Sequence, residues 1–273
     1  MSHHKRLLFI GGGNIAGAVA CGLVSSNTVP AEYVTVYDID DSKFDKFNAL
    51  HINTTSTLSD VVEQAEIIFL AVKPAIVKTI MKQLSGYDNL LNRVVIVSFA
   101  AAVSIEHIIE HAKQNVAIIR TMPSTPILVG EGVIAVAHNE FVDPRDFQFF
   151  CRMMSSIAHV SVIEESAMNP IISVHGSSPA YVYLFVKSML DAAVKQGIPN
   201  ETALPLILKT IKGSITMIEK STDSIDQLIK NVASPNGTTL AALNSFDNDD
   251  FSGAIERAMN ACTKRADEIT SEL

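Results

Sequence analysis

The chain has 273 residues, 48% of them hydrophobic and 18% charged, and 21 basic against 29 acidic side chains give a net charge of −8. That length suffices for one large domain or two ordinary ones with real cores, and the hydrophobic content excludes a disordered chain. Acidic side chains outnumber basic ones in both halves, so a nucleic-acid partner is excluded as well.

The first six residues run directly into the short apolar stretch Leu7 to Ile10, with no signal-peptide core. From there to about residue 121, β-rich runs alternate with helical patterns. The runs are Leu7 to Ile10, Val34 to Tyr37, Ile67 to Val72, Val94 to Ser98 and Val116 to Thr121. They are almost wholly apolar rather than alternating, as expected of parallel strands covered by helices on both faces. Helical spacing falls between them, over Asn14 to Ser25, Ser42 to Leu50, Ile76 to Leu84 and Ser104 to Ala112. Gly132 to Ala137 and Val160 to Ile163 read as late edge strands around the helical stretch Pro144 to Met154. This is the pattern of a doubly wound α/β sheet.

After about Glu165 the strand signals stop, and long helical stretches follow over Ala180 to Gln196, Asn200 to Glu219, Thr238 to Phe246 and Ser252 to Leu273. The expected organisation is an α/β Rossmann-like nucleotide-binding domain over 1–165 and an all-helical domain over 166–273. In Ala180 to Gln196 the charges Lys187, Asp191 and Lys195 form one stripe, and the rest of the surface is mostly apolar. A helix of that kind must be covered on nearly all sides, which predicts an obligate homodimer through the helical domain.

Three widely separated cysteines, Cys21, Cys151 and Cys262, fit neither a disulfide framework nor a zinc pattern. The longest apolar run, Val94 to Val103, is about half of the ~20 residues that a membrane-spanning helix requires. A soluble protein of a reducing compartment, the cytoplasm, is expected.

The first strand run ends in Gly11-Gly12-Gly13-Asn14-Ile15-Ala16, a G-x-G-x-x-A turn between strand and helix. Gly11 permits the tight turn, Gly13 lets the backbone approach a pyrophosphate at the positive helix end, and small Ala16 lets helix and sheet pack closely. The acidic residue required at the end of the second strand is Asp38, placed to accept from a ribose 2′-hydroxyl and to repel a 2′-phosphate. The cluster around it is no EF-hand, because Lys43 stands where glycine is needed. His107-Ile108-Ile109-Glu110-His111 matches H-x-x-E-H but has no evident third ligand and reads as a surface helix, so no metal is expected. Gly176-Ser177-Ser178-Pro179 lacks the second glycine of a nucleophile elbow. It begins a helix with Pro in the first turn, as does Ser234-Pro235-Asn236-Gly237-Thr238-Thr239, and such starts offer backbone N–H groups to a small carboxylate.

Together these segments resemble pyrroline-5-carboxylate reductase over essentially the whole chain. The matching stretches are Ile10 to Ile15, Ala71-Val72-Lys73-Pro74, Ser98 to Val103, Met122 to Pro126, His175 to Tyr181 and Val232 to Thr239, the last two being the most specific. The family commonly has Gly at 102, Asn at 124 and Gly at 236, where this chain has Ala102, Ser124 and Asn236. The resemblance implies reduction of the imine of 1-pyrroline-5-carboxylate to L-proline by NADH or NADPH, in a homodimer that can assemble further.

Carried onto matching positions, the resemblance implies a cofactor site of Ile10, Gly11, Gly12, Gly13, Asn14, Ile15, Asp38, Ala71, Val72, Lys73, Pro74, Ala101 and Asn231. Ala71 to Pro74 and Ala101 border the nicotinamide half. Ser234, Gly237, Thr238 and Thr239 would hold the substrate carboxylate, with the Thr239 hydroxyl near the ring nitrogen and Glu165 against the ring. Thr239 and Glu165 are thus the expected catalytic pair. Asp38, with no Arg or Lys before Lys43, favours NADH. The rival readings are another small Rossmann imine or β-hydroxyacid reductase and a nucleotide-sensing protein without catalysis. The β-hydroxyacid class places a catalytic Lys early in the interdomain helix, and Lys187 comes a turn too late.

Overall fold

Leu7, Leu8, Phe9 and Ile10 are all buried, and this run forms the inner strand β1 (Leu7–Ile10) of a computed structural model that describes residues 4–273. Helix α1 (Asn14–Ser25) follows, then β2 (Val34–Tyr37), a one-turn α2 (Asp45–Asn48), β3 (Asn53–Thr55), β4 (Ile67–Leu70) and α3 (Pro74–Leu84). Next come β5 (Val95–Ser98), α4 (Ile105–Ala112), β6 (Ala117–Pro123), β7 (Gly132–His138), α5 (Pro144–Met154) and β8 (Ala158–Val162). The eight strands form one sheet in the order β3-β2-β1-β4-β5-β6-β7-β8. All neighbours run parallel except β6 and β7, which are antiparallel.

Successive side chains of a strand point to opposite faces, and here both faces are buried. Leu7, Phe9 and Phe69 join Val19, Leu23 and Phe150 on the side of α1 and α5. Leu8, Ile10 and Ile68 join Val77, Met81 and Ile108 on the side of α3 and α4. Phe9 and Phe69 stack across β1 and β4 with centroids 4.2 Å apart. Each fully buried side chain of this kind contributes roughly 1.5–3 kcal/mol, so the centre of the sheet holds the strand ends rigidly.

The structure corrects several local expectations. Asn53–Thr55 is an edge strand that the sequence reading left out, since three polar residues carry no apolar signal. β7 pairs on both sides and is not an edge, whereas β8 is. The helix expected over 42–50 reduces to a 3₁₀ turn at Asp41–Lys43 and the four residues of α2, with His51 in the left-handed region at φ +57° just beyond.

Beyond β8, a π-helical turn spans Ile172–Gly176, and α6 (Ser178–Lys195), α7 (Asn200–Lys220), α8 (Ile225–Val232), α9 (Thr238–Asn248) and α10 (Phe251–Glu272) complete the chain. Helix α8 lies outside the helical stretches expected from the sequence. Ser224 starts it by accepting from the Gln227 amide, and Ile225, Leu228, Ile229 and Val232 share one face.

The chain divides into two compact units, one comprising residues up to Ser177 with Cys262–Leu273, the other Ser178–Ala261. These bounds differ from a division at 165/166 because Met168 packs on Ala135 and Ala137, and Ile172 and Ala266 pack on Ala102. In the second unit α6 and α7 pack together, and only Ala203 and Ile207 are buried. Tyr183 and Leu184 are 64% and 65% exposed, so one chain does not cover α6. Among the described residues no helix is long and apolar enough to cross a membrane.

Candidate functional site

The sheet grows from β1 to β2 and β3 on one side and then resumes from β1 with β4 and β5 on the other, and the helices that follow β1 and β4 pack on opposite faces. A crevice at the carboxyl ends of the strands forms at such a switch point. Gly11 turns out of β1 at φ +106°, and a Cβ there would lie 2.5 Å from the Ala71 carbonyl oxygen, so only glycine lets the loops of β1 and β4 approach this closely. Ile10 is buried and accepts through its carbonyl from the Ala71 amide at 2.9 Å, which ties the two loops together. Gly13 caps α1 without any side-chain hydrogen bond, and a Cβ on it would meet nothing within 4 Å. No capping side chain therefore competes with an anion for the first-turn amides at Asn14 and Ile15, which suits a pyrophosphate. Buried Ala16 packs that helix start onto the sheet.

Asp38 at the end of β2 is 6% exposed. Its Oδ2 accepts from the Gly12 amide at 2.7 Å and its Oδ1 from the Asp40 amide at 3.0 Å, while Lys43 Nζ donates to both oxygens at 3.0 Å. Burial pushes this carboxyl up, but the two amides and the Lys43 ammonium outweigh it and hold it below the usual range. The Lys43 ammonium is raised, chiefly by its hydrogen bond to Asp38. Sequence reading missed Lys43 as a partner of Asp38, and Lys46 as well, whose ammonium reaches the Gly13 carbonyl at 3.1 Å.

Ala71 and Val72 follow β4, Lys73 caps α3, and Pro74 occupies its first turn. Ala101 follows β5 and precedes Ala102, which is buried and held in the left-handed region at φ +62°. The first unit thus brings together Ile10 to Ile15, Asp38, Ala71 to Pro74 and Ala101 at one end of the sheet.

Glu165 lies in the same unit. Its Oε1 accepts from the Ile105 amide at 2.6 Å, at the start of α4, and from Arg120 Nη1 at 3.3 Å. Arg120, a cation within β6, is 5% exposed and also donates to Asn169 Oδ1 at 2.7 Å. Burial pulls its guanidinium down and Glu165 partly restores it. Sequence reading missed Arg120, although a charge inside the apolar run Ile118–Ile119–Arg120 was itself a signal.

The remaining residues lie in the second unit. Asn236 takes φ +60° and Gly237 caps α9 with no side-chain hydrogen bond, so the amides of Thr238 and Thr239 begin an uncapped helix. The Gly237 amide donates to the Ser234 carbonyl at 3.0 Å, and a Cβ at Gly237 would lie 2.5 Å from Ser234 Oγ. Asn231, one turn back on α8, is engaged by Gln227 and Asp223 at 2.8 and 3.2 Å. Elsewhere, the Nε2 atoms of His107 and His111 lie 3.1 Å apart, and among the described residues no group of three or more His, Cys, Asp or Glu could hold a metal ion.

A doubly wound sheet with an uncapped glycine turn at its switch point, followed by a helical unit with an uncovered apolar surface, defines a Rossmann-type dinucleotide oxidoreductase with an association domain. Residues 165–269 match the family described as pyrroline-5-carboxylate reductase dimerisation, and residues 6–102 match NADP oxidoreductase coenzyme F420-dependent. The chain is 34% identical over 271 residues to the pyrroline-5-carboxylate reductase of Escherichia coli (strain K12), covering 97% of this chain and 98% of that protein. It is 31% identical over 265 residues to that of Corynebacterium melassecola, covering 95% and 97%. Among solved structures, Plasmodium falciparum pyrroline carboxylate reductase with NADP bound superposes with a TM-score of 0.89 at 29% identity, covering 97% of this chain and 98% of that one. The chain belongs to the pyrroline-5-carboxylate reductase family.

Proposed function

We propose that the chain reduces 1-pyrroline-5-carboxylate to L-proline with a reduced nicotinamide dinucleotide, the last step of proline synthesis. The observation that carries this reading is that both helix starts at the family motifs, Gly13 before α1 and Gly237 before α9, lack a side-chain cap. Two sets of backbone donors are thereby open to two anionic groups, a pyrophosphate and a small carboxylate. Titrating the protein with the imine while following NADH and NADPH absorbance tests the proposal. No cofactor oxidation with either nucleotide would sink it.

A reduced nicotinamide held here would supply the hydride, and the site's own residues would bind and orient the two partners. The glycine turn Gly11 to Gly13 and the α1 amides hold the pyrophosphate, and Ala71 to Pro74 with Ala101 bound the seat of the nicotinamide half. The loop Ser234 to Thr239 holds the carboxylate on its amides, and the Thr239 hydroxyl orients the ring nitrogen. The C=N carbon gains the hydride and the nitrogen keeps one proton from solvent, which balances the reaction to the amine. A protonated imine is already electrophilic, so alignment and a polar surrounding supply most of what catalysis requires. Glu165 contributes through Oε2, since both of its bonds within the protein use Oε1.

NADH is the favoured nucleotide in this reading. Lys43 is paired with Asp38 at 3.0 Å and lies 3.7 Å from Asp40, so a 2′-phosphate at the end of β2 would meet two carboxylates and a cation already engaged by them. The functional unit is a homodimer through the helical unit, which can assemble further. The free thiols of Cys21, Cys151 and Cys262 suit the reducing cytoplasm. The β-hydroxyacid rival is disfavoured because Lys187 is exposed and paired with Asp191.

A further inference from the structure

A chain of hydrogen bonds crosses the first unit from the C-terminal helix to the loop after β5. Thr270 Oγ1, on the last turn of α10, lies 2.8 Å from the Ala102 carbonyl and 3.0 Å from the Ala266 carbonyl, so its one proton is shared between them. Asn169 Nδ2 donates to Thr270 Oγ1 at 3.1 Å and to Asp267 Oδ1 at 2.9 Å, while its Oδ1 accepts from Arg120. Arg120 in turn meets Glu165, whose Oε1 accepts from the Ile105 amide. The segment from Ala102 to Ile105 is thus gripped at both ends by one network.

That grip has a physical task, because Ala102 stands at φ +62°, a region that side chains bearing a Cβ resist. A non-glycine residue stays there only where its surroundings fix it. Ala102 is 1% exposed and packs on Ile172 and Ala266, so the end of α10 supplies both the apolar wall and the hydrogen bond. Ala101 is the residue immediately before this strained position.

We propose that Thr270, with Asn169 and Arg120, are positioning residues that set the backbone of Ala101 and Ala102 and so fix the nicotinamide seat. This rests on the reading that Ala101 borders the nicotinamide half. None of the three touches the reacting atoms; they act through the shape of the loop.

The test uses the full-length protein and measures the NADH dissociation constant by nicotinamide fluorescence, together with KM for NADH and for the imine. Thr270→Val keeps the side-chain shape and removes the donor to Ala102. Losing one such bond should raise both NADH constants about three- to tenfold and leave KM for the imine within about twofold. Thr270→Ser should restore wild-type values. Adding Ala102→Gly to Thr270→Val should recover NADH affinity, because glycine holds the left-handed conformation without help. Thr270→Ala, read by the same numbers, replaces Thr270→Val if that variant does not fold.

Ala101→Leu separates this inference from the reading beneath it. If Ala101→Leu weakens NADH binding and Thr270→Val does not, the positioning role is overturned. If Ala101→Leu leaves NADH binding unchanged, the loop is not the nicotinamide seat and both fall. Equal rises in KM for NADH and imine that Ala102→Gly does not reverse would mark a general loosening of the unit, and would also overturn the proposal.

Discussion

The Asp38 carboxylate accepts from the Gly12 amide at 2.7 Å, so the acid at the end of β2 fastens the glycine turn. Both of its oxygens also take Lys43, which makes the two residues one unit with no net charge. Asp38→Asn keeps an acceptor for the Gly12 amide and releases the Lys43 ammonium. The ratio of kcat/KM for NADPH to that for NADH should rise about tenfold or more, as one freed cation next to a 2′-phosphate is worth on the order of 1–2 kcal/mol. Initial rates with both nucleotides check this, and an unchanged ratio would refute Lys43 as the latent phosphate ligand.

The same pair makes stability depend on pH in a definite direction. The folded carboxyl of Asp38 titrates below its unfolded value of about 3.9. It therefore adds stability above that value, and the contribution is lost as pH falls through the depressed folded pKa. Tm of the native protein should exceed that of Asp38→Asn by a constant margin near neutral pH, and the margin should close below about pH 4. A gap that stayed at its neutral-pH size as the pH fell through the acid range would show that the Asn side chain costs stability by some route other than charge.

Gly11 and Gly13 are separable by substitution. At Gly11 a Cβ would stand 2.5 Å from the Ala71 carbonyl, at φ +106°, so Gly11→Ala must displace backbone. A loss of about 2–3 kcal/mol in stability together with NADH binding is expected. Gly13→Ala meets no atom and should leave Tm unchanged while weakening NADH, because the methyl enters the space assigned to the pyrophosphate. Thermal melts beside NADH titrations read both, and unweakened NADH binding in Gly13→Ala would remove the pyrophosphate from that helix start.

Thr239 and Glu165, expected as a catalytic pair, should behave differently. Thr239 lies in the uncapped first turn of α9, and Thr239→Ala should lower kcat/KM about ten- to a hundredfold with an unchanged melting curve. Glu165→Ala strips the Ile105 amide of its acceptor and leaves Arg120, 5% exposed, with one neutral partner. It should lose about 2 kcal/mol of stability in addition to activity. If Glu165→Ala melted like the native protein, the Arg120 contact would be energetically idle.

What the sequence disclosed and what it hid follow from the range of the interactions. The strand runs, Gly11 to Gly13 and Asp38 were legible because apolar periodicity and glycine turns are local. β3 escaped because Asn53, Thr54 and Thr55 are polar, and their pairing with Thr35, Val36 and Tyr37 is decided by the neighbouring strand. α8 should have been read, since Ser224 followed by Ile225, Leu228, Ile229 and Val232 is a start signal with an apolar stripe. Arg120 was visible as a misfit in β6, but its partners Glu165 and Asn169 lie 45 and 49 residues away, and only the folded chain pairs them.

Association of the helical unit is the last expectation. On α6, Tyr183, Leu184 and Phe185 are 64%, 65% and 41% exposed, and on α7, Leu206 and Met217 are 62% and 59% exposed. An apolar groove of about 510 Å³ runs between α6 and the segment from Phe246 on α9 to Ala258 on α10. Large apolar side chains exposed in such number are rare on monomers and typical of an interface that buries a core. The match of residues 165–269 to a family described as pyrroline-5-carboxylate reductase dimerisation supports a second copy of this chain as the occupant. Leu184→Glu places a charge where the partner would sit, and burying that charge unpaired costs several kcal/mol. Sedimentation at micromolar concentration should give two or more chain masses for the native protein and a shift toward one for Leu184→Glu, with loss of activity. A native species of one chain mass that is folded and active would end the dimer, and an unshifted Leu184→Glu would move the interface away from this face of α6.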